Sequence, residues 1–135
     1  MSALSAFLHP AVTREEKEIV ISKRFLGEDG KPTPFKIRSL TQEENAAIIK
    51  AATRQKKVDG QWQDSIDANE LSARTIVEAT VFPDFRSAEL CEAYGTKDTV
   101  QVPGKMLLAG EFGRLIDAVS KLSGFDKSLD EEAKN

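Results

Sequence analysis

The most regular hydrophobic pattern of the chain lies between Pro103 and Phe125. Pro103 suits a first helical turn, and Gly124 suits a left-handed C-terminal cap. The large apolar residues between them recur at alternating steps of four and three, which draws one stripe along a helix: Leu108, Phe112, Leu115, Val119 and Leu122. Charged residues fall on the other side: Glu111, Arg114, Asp117 and Lys121. The pattern predicts one long amphipathic helix with a solvent-facing charged side.

Two segments near the N-terminus alternate apolar and polar residues and predict strands. The first covers residues 18–26, and the second contains Phe35 and Ile37. Turn-forming residues with Asp29-Gly30 at their centre separate the two segments. We therefore predict a two-stranded antiparallel hairpin with one apolar and one basic face. Two strands alone are marginally stable, so helices must cover the apolar face.

Capping signals predict three shorter helices between the hairpin and the C-terminal helix. Thr41 and Glu44 have the spacing of a capping box, so a helix is expected to follow. A second helix is predicted over residues 65–81 and ends before Pro83, because the residue before a proline is pushed out of the helical region. Ser87 is expected to cap a short helix that ends at Gly95. Residues 96–102 form a linker in this prediction.

The segment between the first two of these helices contains Asp59-Gly60, flanked by Val58 and Trp62. It predicts a short second hairpin or an extended loop. Trp62 is the single tryptophan of the chain, and tryptophan is enriched at binding hot spots. Such a side chain more often folds back over the edge of the core. Both interpretations stay open from the sequence.

Together these elements predict an α+β fold that is predominantly α-helical, with an N-terminal β-hairpin packed against about four helices in a single domain. The domain is expected over residues 18–125. Residues 1–17 are expected to be a flexible N-terminus, although Leu4, Phe7 and Leu8 would form a docking tag if they were ordered. Residues 126–135 are expected to be a disordered acidic tail.

The composition excludes several classes of partner. The chain has 135 residues and a net charge of −3, with charges of both signs. This balance argues against a nucleic-acid binder that neutralises phosphates over a broad basic face. No apolar run approaches the roughly 20 residues that a membrane helix needs. The N-terminus also lacks the pattern of a signal peptide, so we expect a cytoplasmic protein without a membrane partner.

The sequence contains no promising catalytic or metal-binding constellation. His9 is the only histidine, which makes histidine-dependent nucleophiles and metal sites unfavourable. Cys91 lies in the apolar half of a short helix and is expected to be a structural thiol. Gly104-Lys105 fails the phosphate-loop pattern because Met106 follows it. We therefore expect no enzyme activity, no cofactor and no metal.

Several motifs resemble one known family. They are FKIRSLTQEE at 35–44, VEATVFPDF at 77–85 and LLAGEFGRL with the later LSGF. In this order they resemble the XkdN-like tail assembly chaperones of phages and prophages of Gram-positive bacteria, over about residues 18–125. Many members of that family carry proline where this chain has Ala109. The difference predicts a smoother helix here.

The resemblance implies a non-catalytic protein that binds the tape measure protein and assists assembly of the tail tube protein. It implies action in the host cytoplasm and absence from the mature virion, and it leaves a homo-oligomer open. As a hypothesis, partner contacts are assigned to five residues: Trp62, Leu108, Phe112, Leu115 and Val119. Two alternatives stay open, a structural tail-associated virion protein and a small enzyme or regulator.

Overall fold

A three-stranded antiparallel sheet organises the computed structural model, which describes residues 3–11 and 14–125. The strand order is β1 (Glu16–Ile19), β2 (Phe35–Arg38) and β5 (Thr80–Phe82). Phe35 and Ile37 of the central strand are buried, whereas the residues that alternate with them are only partly covered. The sheet thus has the one apolar face that the sequence predicts, and helices cover it. The α+β prediction is confirmed.

The N-terminal hairpin differs in detail from its prediction. β1 ends at Ile19 instead of continuing to Leu26, because Ile21 and Ser22 are both buried and no longer alternate. Residues 20–34 form a long connection in which an isolated antiparallel β-bridge pairs Leu26 with Pro32. The sequence analysis also missed β5, which pairs with the other edge of β2.

Two helices of the middle segment pack against each other, α2 (Gln42–Ala52) and α3 (Ala68–Ala79). The capping box of α2 is confirmed, since the Thr41 hydroxyl accepts the Glu44 backbone N–H at 3.1 Å. The second helix, predicted over residues 65–81, is shorter at both ends. Residues 65 and 66 belong to a strand, and residues 80 and 81 belong to β5, which ends directly before a cis Phe82–Pro83 peptide bond.

The single long helix predicted after residue 103 is divided into two helices. Before them lies α4 (Ala88–Ala93), which Ser87 caps as predicted. The expected linker instead forms a 3₁₀ turn, Thr99–Gln101, that leads into α5 (Val102–Met106). Leu107 and Leu108 then adopt extended backbone conformations, and α6 (Ala109–Ser120) begins. A wide turn, Lys121–Phe125, ends the described chain, with Gly124 at φ 99° as the sequence indicated.

The hydrophobic core lies between the sheet, α3 and the two C-terminal helices. Its fully buried large side chains come from every one of these elements: Ile37, Ile76, Phe85, Val102, Leu115 and Val119. Two of the predicted stripe residues therefore lie at the centre of the core. Glu111, which was expected to face solvent, is instead buried at 3% exposure, so that part of the helix prediction is wrong.

The N-terminal segment contains a short helix, α1 (Ser5–Leu8), with no buried residue. The predicted acidic tail at 126–135 lies outside the described residues, as do positions 1–2 and 12–13 of the predicted flexible N-terminus. Across the ranges that are described, none of the helices has the length and apolarity needed to cross a membrane.

Leu115→Ala should lower the free energy of unfolding by about 2–5 kcal/mol, because a fully buried leucine leaves a cavity when truncated. Leu108→Ala on the same segment is the matched control, since Leu108 is 59% exposed and should change stability by less than about 0.5 kcal/mol. Urea unfolding followed by circular dichroism measures both. Equal losses in the two variants would contradict this placement of α6.

Candidate functional site

An exposed β-hairpin projects from the two middle helices. It consists of β3 (Thr53–Val58) and β4 (Gln61–Ile66), and its turn residues Asp59 and Gly60 both have positive φ, at 51° and 81°. This is the backbone of a two-residue hairpin turn, which is the first of the two interpretations that the sequence left open. Every hairpin residue after Thr53 is exposed. We call residues 53–66 the arm.

One face of the arm carries two of its three exposed apolar side chains, Trp62 and Ile66, and the third, Val58, lies on the other face. Trp62 lies opposite Lys57, and Ile66 lies opposite Thr53, so all four side chains share a face. Trp62 is 66% exposed and Ile66 is 51% exposed. The Lys57 ammonium lies 5.9 Å from the centre of the Trp62 ring, within cation–π distance. Trp62 therefore remains on the arm and does not cap the core edge.

The base of the arm is fixed to α3. The Arg54 guanidinium donates to the Glu70 carboxylate at 2.7 Å, and the Asp67 backbone N–H donates to the Ala52 carbonyl at 3.2 Å. Asp67 also caps α3 by accepting the Glu70 backbone N–H. These contacts orient the arm on the helical body even though its strands extend into solvent.

A groove of about 840 Å³ lies beside the base of the arm. It is bordered by the start of α3, by the 3₁₀ turn with α5, and by the start of α6. Apolar side chains line part of it, namely Ala73, Val100, Leu107 and Phe112, and charged side chains of both signs complete it, namely Arg54, Asp67, Glu70, Asp98 and Lys105. We call it the arm groove.

An ion pair between Arg24, whose side chain is 43% exposed, and the buried Glu111 fixes the first turn of α6, at one border of the arm groove. The Arg24 guanidinium donates through Nε to Glu111 at 2.9 Å and through a second nitrogen to the Met106 carbonyl at 3.0 Å. The Glu111 carboxylate also accepts the Leu108 backbone N–H at 2.8 Å. The Glu111 carboxylate thus joins the connection of residues 20–34 to the chain segment between α5 and α6.

These contacts lower the pKa of Glu111 to about 2. The hydrogen bond from Arg24 contributes most, and burial opposes it, while contacts from Ser22 and the Leu108 backbone lower the pKa further. Glu111 is therefore ionised at neutral pH despite being almost fully buried.

The five residues assigned to partner contacts occupy different places. Trp62 and Leu108 are exposed, and Phe112 is half-buried in the arm groove. Leu115 and Val119 are 0% and 1% exposed, inside the core, so the domain as folded does not present them at its surface. The arm groove itself was not predicted from the sequence. Glu111, three positions after Leu108, was the available signal that a helix begins after Leu108.

Within the described ranges there is no group of three or more His, Cys, Asp and Glu side chains that could hold a metal ion. Cys91 is half-buried, and its thiol lies 3.9 Å from the Phe85 carbonyl oxygen. An exposed aromatic side chain thus lies on the arm, and a partly apolar groove lies beside the base of the arm.

Comparison with known proteins identifies the family. The model of the XkdN-like phage tail assembly chaperones matches residues 4–134. The chain therefore belongs to this family of tail assembly chaperones, as the sequence motifs indicated.

Individual relatives support the same conclusion. The chain is 36% identical to the phage-like element PBSX protein XkdN of Bacillus subtilis (strain 168), over 96% of this chain and 93% of that protein. It is equally similar to YqbN of the same strain, over 96% and 92%. The crystal structure of YqbN superposes with a TM-score of 0.78 at 32% identity, covering 93% of this chain and 99% of YqbN.

Glu111→Gln should destabilise the protein by roughly 1.5–3 kcal/mol at pH 7, because charged hydrogen bonds around a buried group are weakened. The folded-state pKa of Glu111 lies below its ordinary value of 4.5, so its contribution is present above that pH and is lost as the pH falls toward 2. The difference between wild type and variant should shrink over this window in urea unfolding experiments.

Asp117→Asn is the matched control on the same helix. Asp117 pairs with Lys121 at 3.0 Å, but both side chains are 64% exposed, so its loss should cost at most about 0.5 kcal/mol. A wild-type-to-Glu111→Gln difference that stays constant from pH 7 to pH 2 would contradict the assignment of the stabilising contact to the ionised carboxylate.

Proposed function

We propose that this chain is a non-catalytic tail assembly chaperone that binds the tape measure protein of its phage through the arm and the arm groove. The observation that carries the proposal is the exposed Trp62 on an arm whose base borders a partly apolar groove. Membership of the tail assembly chaperone family supports the role, and the exposed surface supplies a place for the partner.

The chemistry of the surface fits an amphipathic helix. Ala73, Leu107 and Phe112 provide apolar contacts, and the charged side chains at the groove, of both signs, can pair with polar residues of a helix that lies there. Trp62 adds a large side chain that loses little entropy on binding, which is the usual character of a hot spot. A long helical protein with repeated apolar seams, as tape measure proteins are expected to be, could bind many such chaperones.

The tail tube protein is the second proposed partner, because assembly of the tube must displace the chaperone from the tape measure. This sequence of events places the chain in the host cytoplasm during assembly and leaves it out of the finished virion. No nucleotide is required, since displacement by the tube protein supplies the release. The homo-oligomer that the resemblance leaves open remains a prediction.

Trp62→Ala should weaken binding to the tape measure protein by about tenfold or more, since truncation of a hot-spot tryptophan commonly costs over about 1.4 kcal/mol. The test is co-expression with the tape measure protein, followed by affinity purification and titration of the soluble complex. Leu26→Ala is the control, because Leu26 is 59% exposed but belongs to neither the arm nor the arm groove.

Two results would count against the proposal. A tape measure protein that is soluble alone and does not associate with the wild-type chain would remove the chaperone role. Detection of the chain in stoichiometric amounts in purified particles by mass spectrometry would favour the alternative of a structural tail-associated protein. Equal binding by the Trp62→Ala and Leu26→Ala variants would be compatible with the chaperone role but would exclude the arm as the binding site.

A further inference from the structure

The short helix α1 carries apolar side chains that nothing in the described chain covers. Leu4, Phe7 and Leu8 are 61%, 80% and 63% exposed. Helices shorter than about 12 residues are marginal in water on their own, and this one has four residues. A packing partner for these side chains would supply the stability that the isolated turn lacks.

A second groove, of about 410 Å³, lies between α2, α3 and the C-terminal half of α6. We call it the helix groove. Its apolar lining includes Leu40, Ile49, Leu71, Ile116 and Phe125, and the remaining lining residues are Thr, Gln, Asn, Ser and Val. None of the residues that line it is charged, and none belongs to α1.

The N-terminal segment and the helix groove match in chemistry. Residues 3–11 contain no Asp, Glu, Lys or Arg in a chain in which 30% of residues are charged. In the arm groove the same segment would cover Asp67, Glu70 and Lys105 without offering them a counter-charge, which is costly. The helix groove imposes no such desolvation cost.

The N-terminal segment also leaves the domain at the rim of this groove. The Arg14 guanidinium lies 3.0 Å from the Glu44 carboxylate, and the Glu15 backbone N–H donates to the Ser39 hydroxyl at 2.9 Å. Ser39 directly precedes Leu40 and Thr41, which line the groove. The chain therefore resumes at the rim of the groove at Arg14, so the same contact made reciprocally by two chains would close a two-fold dimer.

We infer that the helix groove binds Leu4, Phe7 and Leu8 of a second copy of this chain, which makes the protein a segment-exchanged homodimer. In the single chain the segment is exposed and the groove is open, which is the arrangement that a second copy completes. The inference concerns the chain alone and does not depend on the identity of the tape measure partner.

The first test is disulfide trapping in full-length chains that carry Cys91→Ser. A chain with Ala6→Cys, which keeps Leu4, Phe7 and Leu8, is mixed with a chain of different mass that carries Ser72→Cys in the helix groove, and the mixture is oxidised. We expect a covalent heterodimer of the two variants. The control replaces Ser72→Cys by Ser65→Cys on the arm, which is exposed and should yield only background cross-linking.

The double variant Ala6→Cys/Ser72→Cys distinguishes exchange from closure within one chain. Exchange gives a covalent dimer on a non-reducing gel, whereas a cross-link within a single chain overturns the inference. Cross-linking no stronger than in the Ser65→Cys control overturns it as well. Matched thermal midpoints for all variants show that each chain is folded.

Light scattering after size exclusion supplies a second measurement without engineered cysteines. The wild-type chain should have the mass of a dimer, and Phe7→Ser should weaken the dimer by about tenfold or more, since a large apolar side chain is removed from the contact. A wild-type chain that stays monomeric overturns the inference. Neither assay contains a phage partner, so a negative result leaves the proposed chaperone function untouched.

Discussion

The ion pair between Arg24 and Glu111 is the contact on which the rest of this structure depends. It joins two segments that are 87 residues apart, the irregular connection after β1 and the first turn of α6. The connection contains almost no regular backbone pairing, so a buried carboxylate and the Met106 carbonyl hold its position. Glu111 is buried, and a buried charge without its partner is costly, so the structure depends on Arg24 being in place.

The same carboxylate determines the surface beside the arm. Because Glu111 accepts the Leu108 backbone N–H, α6 begins after Leu108, and the chain cannot continue as one helix from α5. At this break the Leu107 side chain is buried and the Leu108 side chain is exposed. The arm groove lies at this break, so its shape depends on a contact on the buried side of α6.

Local signals in the sequence were sufficient for the parts of the fold that are locally determined. The Asp59-Gly60 turn and the Thr41 capping box depend on neighbouring residues, and both were predicted. β5 was missed because its strand character comes from pairing with β2, more than 40 residues away. The helix break was missed because the prediction placed Pro103 at the start of the same helix that carries the apolar stripe, whereas that stripe begins only at Leu108, after the break. Ala109 occupies the first position of α6, where a proline would be favoured and would mark the start. The smoother helix predicted from Ala109 is therefore wrong, because the chain breaks directly before this residue.

The candidate site was harder to predict because periodicity does not separate core from interface. Leu108, Leu115 and Val119 belong to one stripe in the sequence, yet the first is exposed and the others are buried. Only the packing of the sheet against α6 decides which residues remain free. What is left at the surface is a set of separate apolar sites, among them Trp62 on the arm and Leu4, Phe7 and Leu8 at the N-terminal segment, on a chain with charges of both signs. If the chain acts as proposed, separate small sites would suit it, because many copies along one partner could supply the total affinity while each copy still dissociates.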